Sequence, residues 1–207
     1  AGAFDASGRL MGFVYGITGV KDGRIVHWSD MLAVRPEAQN AGLGRRLKEH
    51  QRQAVAKVGA EAIYWTFDPL QARNAHLNFN VFGVRAVEYV RDMYGQNTGS
   101  DLHRGIGTDR LIVAWPVRDE ELEQSRRQME AARNPKESIT VEVPPDVTSL
   151  MQSDPARAKE WRETSRKALT HAMQSHRIDG FRIEKERNRA FYVLTPTAAR
   201  QSPVARS

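Results

Sequence analysis

Apolar residues recur along this chain in several rhythms, and each rhythm predicts a different element. From Arg9 to Thr18 the chain is dense in Leu, Phe, Val, Tyr and Ile, with Gly12 and Gly16 inside the run, which predicts a strand. Val20-Lys-Asp-Gly-Arg24 carries the Asp-Gly hairpin signal, and Ile25 to Val34 is a further strand. With the strand end at Ala1 to Asp5, this opening is an antiparallel meander. At Leu43 the period lengthens. Leu47, Ala54, Val55 and Val58 share one helical face, while Arg45, Lys48, Arg52 and Lys57 point elsewhere, and Gly59 stops the helix. Glu61 to Phe67 reads as a strand ended by Asp68-Pro69. Gln71 to Phe82 reads as a second helix stopped at Gly83, and Val84 to Met93 and Leu111 to Val117 as strands around a polar, glycine-rich loop from Tyr94 to Arg110. The order β-β-β-α-β-α-β-β predicts an α/β or α+β fold, a mixed sheet with packed helices.

After Arg118 the composition shifts. Asp119 to Arg133 is helical but nearly all polar, with Glu123 and Arg127 placed for an i,i+4 pair, so it reads as a solvated connecting helix. Ile139 to Val143 alternates like a short strand and is broken by Pro144-Pro145. Asp154-Pro155 opens a long helix with a stripe of Ala158, Trp161, Ala168, Leu169, Ala172 and Met173. Phe181–Glu184 and Ala190–Leu194 form a terminal hairpin, and the tail after Thr195 carries no pattern. The expected organisation is a core over 1–117, a connecting helix over 118–137, a small β-α-β subdomain over 138–195 and a tail over 196–207.

Composition narrows the chemistry. The 207 residues contain no cysteine, which excludes disulfides, thiolate metal sites and cysteine nucleophiles and fits a cytoplasmic protein. No apolar run is long enough to cross a bilayer. No signal peptide is legible, and Ala1 is not expected to be the natural start. The formal charge of +6 raises nucleic acid as a partner. Against this, basic residues alternate with acidic ones, as in Arg118-Asp-Glu-Glu, with no aromatic-interleaved basic stripe. A solvated surface with a local attraction for a phosphorylated ligand accounts for the excess more simply. His27 and His76 have no partners at metal-ligand spacing, so both read as structural and no metal is expected.

The stretch from Leu32 to Leu47 carries the most specific signal. An apolar strand runs into Arg35-Pro36, and Gln39, Gly42 and Gly44 then lead into a helix whose first N–H groups have no partner inside it. Such an N-terminus suits phosphate, although two close glycines before a helix are also an ordinary turn. The whole run Val34, Pro36, Gln39, Gly42, Gly44 resembles motif A of the GNAT acyltransferase superfamily with every spacing kept. The resemblance implies that the backbone of Gln39, Asn40, Ala41, Gly42, Leu43, Gly44 and Arg45 holds the pyrophosphate of acetyl-CoA or another acyl-CoA. It implies that Leu32, Ala33 and Val34 present a strand edge to the pantetheine arm, with an N–H near Leu32 for the thioester carbonyl, and that Asn74 bonds the same arm. The fold it implies is a mixed, mostly antiparallel sheet with helices on both faces, here without the usual opening strand and two helices.

Within the superfamily, Trp65-Thr-Phe-Asp-Pro-Leu70, Asn74-Ala-His-Leu-Asn78, Tyr94-Gly95, Ala114-Trp115 and the C-terminal stretch resemble a branch of predicted bacterial acyltransferases with a C-terminal extension. Some members of that branch are associated with menaquinone or N-succinylamino-acid metabolism. Two family residues are replaced here: Phe79 stands where many members place an acidic tyrosine, and Trp28 where many place a glutamate base. Asp30, which can serve as a base or be a solvated carboxylate, and Asn78 are the candidate catalytic residues, and Trp28, Trp65 and Tyr94 the candidate substrate contacts. Asp109 and Arg110 read as a fold-stabilising pair. The expected activity is transfer of an acetyl or succinyl group from coenzyme A to a primary amine of a small molecule in a ternary complex, by a chain that can form a homodimer. The alternatives are a catalytically silent CoA- or partner-binding module and a nucleic-acid-associated protein.

Overall fold

The computed structural model describes residues 1–95, 106–132 and 138–197. Strands β1 (Gly2–Phe4), β2 (Leu10–Lys21) and β3 (Arg24–Val34) form the antiparallel meander that the sequence predicts. Helix α1 (Leu43–Ala56) then returns the chain to β4 (Ala62–Phe67), which lies parallel to β3. Helix α2 (Ala72–His76) runs straight into a π-helix, Leu77–Phe82, and β5 (Arg85–Val90) and β6 (Arg110–Pro116) complete a six-stranded sheet in the order β1-β2-β3-β4-β6-β5. A parallel pair needs a crossover to reverse the chain, and α1 supplies it. After α3 (Asp119–Ala132), β7 (Ile139–Val143), α4 (Val147–Ser153), α5 (Pro155–Ala172), β8 (His176–Glu184) and β9 (Arg189–Pro196) build a three-stranded sheet in the order β7-β9-β8.

The pattern of apolar positions located these elements with small shifts at their ends, except that β8 begins at His176, five residues before the expected Phe181. It missed α4, a seven-residue helix capped by Asp146, whose carboxylate accepts from the Ser149 N–H at 3.0 Å. It read the second helix as regular, whereas half of it is π-helical before Gly83 ends it in the left-handed region. The expected i,i+4 pair between Arg127 and Glu123 is present at 3.7 Å on the surface. Most of the polar loop and of the C-terminal tail lies outside the described residues.

Burial departs from the expected helical wheel in α1. Its buried residues are Leu47, Lys48, Gln51 and Val55, while Val58 is 56% exposed. The stripe at i, i+4, i+8 runs through Gln51 and takes Lys48 with it. Helices on both faces of the large sheet are also expected from the resemblance. Here the face formed by Ile63, Trp65 and Phe67 meets both α1, through Lys48 on Trp65, and the π-helix, through Asn78, Phe79 and Phe82. The opposite face leaves Tyr15 and Ile17 exposed.

A bulge in β3 sets which of its residues face α1. Tyr15 pairs with Met31 and Gly16 with Ser29, so Asp30 is an extra, unpaired residue. Ahead of it the odd residues His27 and Ser29 are buried against α1; beyond it the even residues Leu32 and Val34 lie nearest Gly44 of that helix. Gly16 allows this approach. A Cβ there would lie 2.4 Å from the Trp28 carbonyl oxygen and 2.3 Å from His27 Nε2. Gly16→Ala is therefore expected to lose roughly 1–3 kcal/mol in urea unfolding, as overpacked sites do; an unchanged midpoint would show that the bulge yields freely.

The two sheets share one hydrophobic cluster, in which Phe79 meets Phe67 from β4 and Tyr192 from β9 with ring centroids 6.3 and 6.0 Å away. Polar links reinforce it. Arg162 of α5, only 2% exposed, pairs with Asp68 at 2.6 Å and donates to the Ile106 carbonyl at 2.9 Å. Arg166, one turn on, bonds both oxygens of Asp109. Asp109 also accepts from the Tyr89 hydroxyl at 2.5 Å and from the Asp92 N–H. Burial pushes the Asp109 carboxyl up, but Arg166 and Tyr89 outweigh that and hold it below its usual range. Burial and the same carboxylate push the Tyr89 hydroxyl far up, so it stays a donor. Asp109 thus serves the fold, as the sequence suggests, although its main cationic partner is Arg166. The guanidinium of Arg110 lies over the Tyr94 ring.

Candidate active site

The strands β3 and β4 hold together only at Val26–Ala62, His27–Ile63 and Trp28–Tyr64. Past that point β3 remains bonded to β2, with Leu32 opposite Val14, Ala33 opposite Phe13 and Val34 opposite Gly12, while β4 remains bonded to β6. Their facing edges separate. A cavity of about 310 Å³ opens in the gap, walled by Ser29, Asp30, Met31 and Leu32 of β3 and Trp65, Thr66 and Phe67 of β4. Lys48 of α1 and Asn74, Leu77, Asn78 and Phe82 complete it. The bulge helps to open it, because an extra residue increases local twist and interrupts pairing.

The turn between β3 and α1 is exposed and shaped by its own residues. Pro36–Ala38 form a short 3₁₀ turn, and Gln39 Nε2 donates to the Val34 carbonyl at 2.9 Å, pinning the turn to the end of the strand. Asn40 lies in the left-handed region, and its Oδ1 accepts from Arg73 at 3.3 Å. Gly42 stands at the N-cap with φ +79°, and no side chain caps the helix. The N–H of Arg46 reaches back to the Gly42 carbonyl at 3.1 Å, so the N–H groups of Leu43, Gly44 and Arg45 precede the first full turn. A Cβ built on Gly42 meets nothing within 4 Å. Uncapped N–H groups, the positive end of the helix dipole and open space in front of them suit a diphosphate. Arg45 is exposed beside them.

The predicted site residues divide into three groups. Leu32, Asp30, Trp65, Asn74 and Asn78 line the cavity. Asn78 is 4% exposed, and its Oδ1 accepts from Trp65 Nε1 at 3.2 Å, so the amide NH₂ is the side left for other partners. Ala33 and Val34 continue the open edge toward the turn. Tyr94 is 53% exposed and reaches the cavity only through Thr66, its hydroxyl 3.2 Å from Thr66 Oγ1. Trp28 lies on the opposite face from His27 and Ser29 and does not line the cavity. Phe79 is buried among Phe67 and Tyr192, also away from the cavity wall. His27 is a structural residue here: Thr18 Oγ1 lies 2.9 Å from Nδ1 and Gln51 Nε2 lies 3.0 Å from Nε2. Burial, with Lys48 nearby, lowers its pKa. Among the described residues no group of three metal-ligating side chains comes together, and no helix is long and apolar enough to cross a membrane.

Sequence reasoning missed two residues, Ser29 and Lys48. Lys48 is 5% exposed, its Nζ lies 2.7 Å from Ser29 Oγ and 3.8 Å above the centroid of the Trp65 ring. Among the described residues no carboxylate pairs with it, and burial lowers its pKa to about 7. One signal was available: position 48 lies about 20° past Val55, at the edge of the arc spanned by Leu47, Gln51 and Val55. A lysine is ordinarily assigned to the solvent side of such a helix, so the arc alone did not single it out.

No protein-family model and no curated protein matches this chain. Among solved structures it is similar to Naa20 of Chaetomium thermophilum, solved with a bisubstrate analogue, at 19% identity and a TM-score of 0.47 over 56% of this chain and 64% of that one. It is similar to the ribosomal-protein-S18-alanine N-acetyltransferase of Escherichia coli at 24% identity and a TM-score of 0.41, over 55% of this chain and 65% of the other. Nourseothricin acetyltransferase is similar at 21% identity and a TM-score of 0.46, over 56% and 62%. In each case the chain spans less than two thirds of the other protein's length.

Proposed function

We propose that this chain transfers an acyl group, acetyl or succinyl, from coenzyme A to the primary amine of a small molecule, by direct attack in a ternary complex. The observation that carries the reading is the parting of β3 from β4 beside the uncapped start of α1. An extended amide-bearing arm fits a strand edge whose N–H and C=O groups have lost their neighbour, and a diphosphate fits the helix mouth at the end of that edge. In this reading the amides of residues 39–45 hold the diphosphate, and the edge at Leu32–Val34, with Asn74, holds the arm. A backbone N–H near Leu32 polarises the thioester carbonyl. Asp30, exposed on the bulge at the cavity wall, takes the proton of the incoming amine, directly or through water. Holding donor and acceptor together supplies much of the rate.

Calorimetric titration with acetyl-CoA and succinyl-CoA tests the reading; no heat of binding with either would refute it. Gly42→Val is expected to weaken CoA binding about 100-fold, close to 2.8 kcal/mol, since a side chain would occupy the open space before the amides and strain a backbone at φ +79°. Gly23→Val is the control. It has the same kind of backbone, at φ +75°, in an open turn at the opposite end of β3 from the helix N-terminus, and should leave binding unchanged. Equal losses in both variants would assign the effect to strain and remove the cradle. The second reading, a silent CoA-binding module, is favoured by Phe79 and Trp28 lying off the cavity wall; thiol release from acetyl-CoA in the presence of an amine panel separates the two.

A further inference from the structure

The hydroxyls on the cavity wall are those of Ser29 and Thr66, aliphatic alcohols far less acidic than a phenol, and no tyrosine is among the lining residues. Phe79 cannot donate and is turned into the core, and Tyr94 touches the cavity only through Thr66. Among the described residues the wall presents one cationic donor, the Lys48 amine, on the helix side of the sheet. It is buried beneath the point where the strands part, fixed by Ser29 Oγ at 2.7 Å and the face of Trp65 at 3.8 Å. A lysine in such a position is costly to bury unless its charge is used or lost.

We infer that Lys48 is the general acid of the transfer, donating a proton from Nζ to the sulfur as the carbon–sulfur bond breaks. This rests on the acyl-transfer reading above. The amine nitrogen forms its bond to the acyl carbon, and the carbon–sulfur bond breaks with its electron pair on sulfur. Lys48 gives that sulfur a proton, and the proton shed by the new amide nitrogen leaves toward Asp30 and water. Solvent then reprotonates Lys48. The sum is one amide and one free thiol from one amine and one thioester. Burial lowers the amine to a pKa of about 7, below the roughly 8.5 of a cysteine thiol, so a thiolate at least that basic takes the proton downhill. The face of Trp65 stabilises the charged form that must be present before each turnover. The titratable groups around it are few. From β3 His27 lies on the same side and Asp30 at the cavity wall; β4 presents Trp65, Thr66 and Phe67 to the cavity, and the α2–π segment presents Asn74, Leu77, Asn78 and Phe82, none of which titrates.

The experiment compares wild type with Lys48→Met and Lys48→Arg on two donors, acetyl-CoA and the acetyl thioester of 4-nitrothiophenol, whose leaving thiolate needs no acid. With acetyl-CoA both variants should lose about 10²–10⁴-fold in kcat while calorimetry shows CoA affinity retained. With the activated thioester the gap to wild type should close to within a few-fold, which a purely structural role would not produce. Wild-type kcat on acetyl-CoA should fall as pH rises through about 7, where Lys48 deprotonates. Equal losses on both donors, or kcat within threefold of wild type on acetyl-CoA, would overturn the assignment and leave the transferase reading standing. A wild-type kcat that does not fall above pH 7 counts against the assignment even if both variants unfold. A wild-type protein that cleaves neither donor overturns both readings.

Discussion

Asp68→Ala is expected to remove about 3–5 kcal/mol of stability, measured as a lower urea midpoint with an unchanged slope. The side chain follows the last residue of β4 and makes two contacts. Its Oδ1 accepts from the Leu70 N–H at 2.9 Å, fixing the turn, and its Oδ2 pairs with Arg162 at 2.6 Å. Both partners are buried, Asp68 at 8% and Arg162 at 2% exposure. Without the carboxylate the guanidinium stays in the core with the Ile106 carbonyl as its acceptor and with Nη1 already lacking a partner. Burial works against the Arg162 charge, and Asp68 is the principal group that restores it. The effect should therefore exceed the net worth of an ordinary hydrogen bond, about 1 kcal/mol. The double change Asp68→Leu with Arg162→Met should recover most of the loss, because it removes the orphaned charge as well as the pair. A loss under about 1 kcal/mol for Asp68→Ala would mean that water reaches Arg162 and that the tie between β4 and α5 is weak.

Lys48→Met is expected to make the protein more stable below pH 7, by about 1–4 kcal/mol, although the same change removes a group assigned to the chemistry. The sign follows from proton counting. The amine titrates at about 7 in the folded protein against 10.5 when unperturbed. Below pH 7 both states hold the proton, and the folded state bears the full penalty of a buried charge. Between about pH 7 and 10.5 only the unfolded state holds it, so wild-type stability rises with pH in that window by up to about 1.4 kcal/mol per unit. Above it the contribution is flat. The methionine variant lacks this slope, so the two stability curves should converge as pH rises toward 10. Urea unfolding at pH 6, 7, 8 and 9 reads the difference directly. Parallel curves would mean that Lys48 keeps its proton in the fold and that water solvates it. Residues kept at a cost to stability are concentrated where function needs them.

The strands, helix positions and chain order followed from the sequence because they depend on local patterning. A period of two or of about 3.6, a proline or a glycine is visible without knowing what packs against it. The run from Val34 to Gly44 was legible for the same reason: the shape of a strand end, a turn and a helix start lies in neighbouring residues. The π-helix at Leu77–Phe82, the bulge at Asp30 and the depth of Lys48 were not legible. Each depends on what lies across the sheet. Asp30 becomes an extra residue only when Tyr15 and Gly16 of β2 choose their partners, and Lys48 is buried only because Ser29 and Trp65 wait beneath α1. Asp109 looked like a partner for its neighbour Arg110, but the fold brought Arg166 to it from 57 residues away.

By itself, then, the sequence determined most of the strands and helices, though not α4 or the π-helical turn, and that an uncapped helix follows a strand edge through Gly42. These are local choices of backbone, set by short-range sterics and periodicity. Only the tertiary structure decided that β3 and β4 part after Trp28 and that a lysine closes the floor of the gap, because pairing and burial are settled between residues distant in the chain.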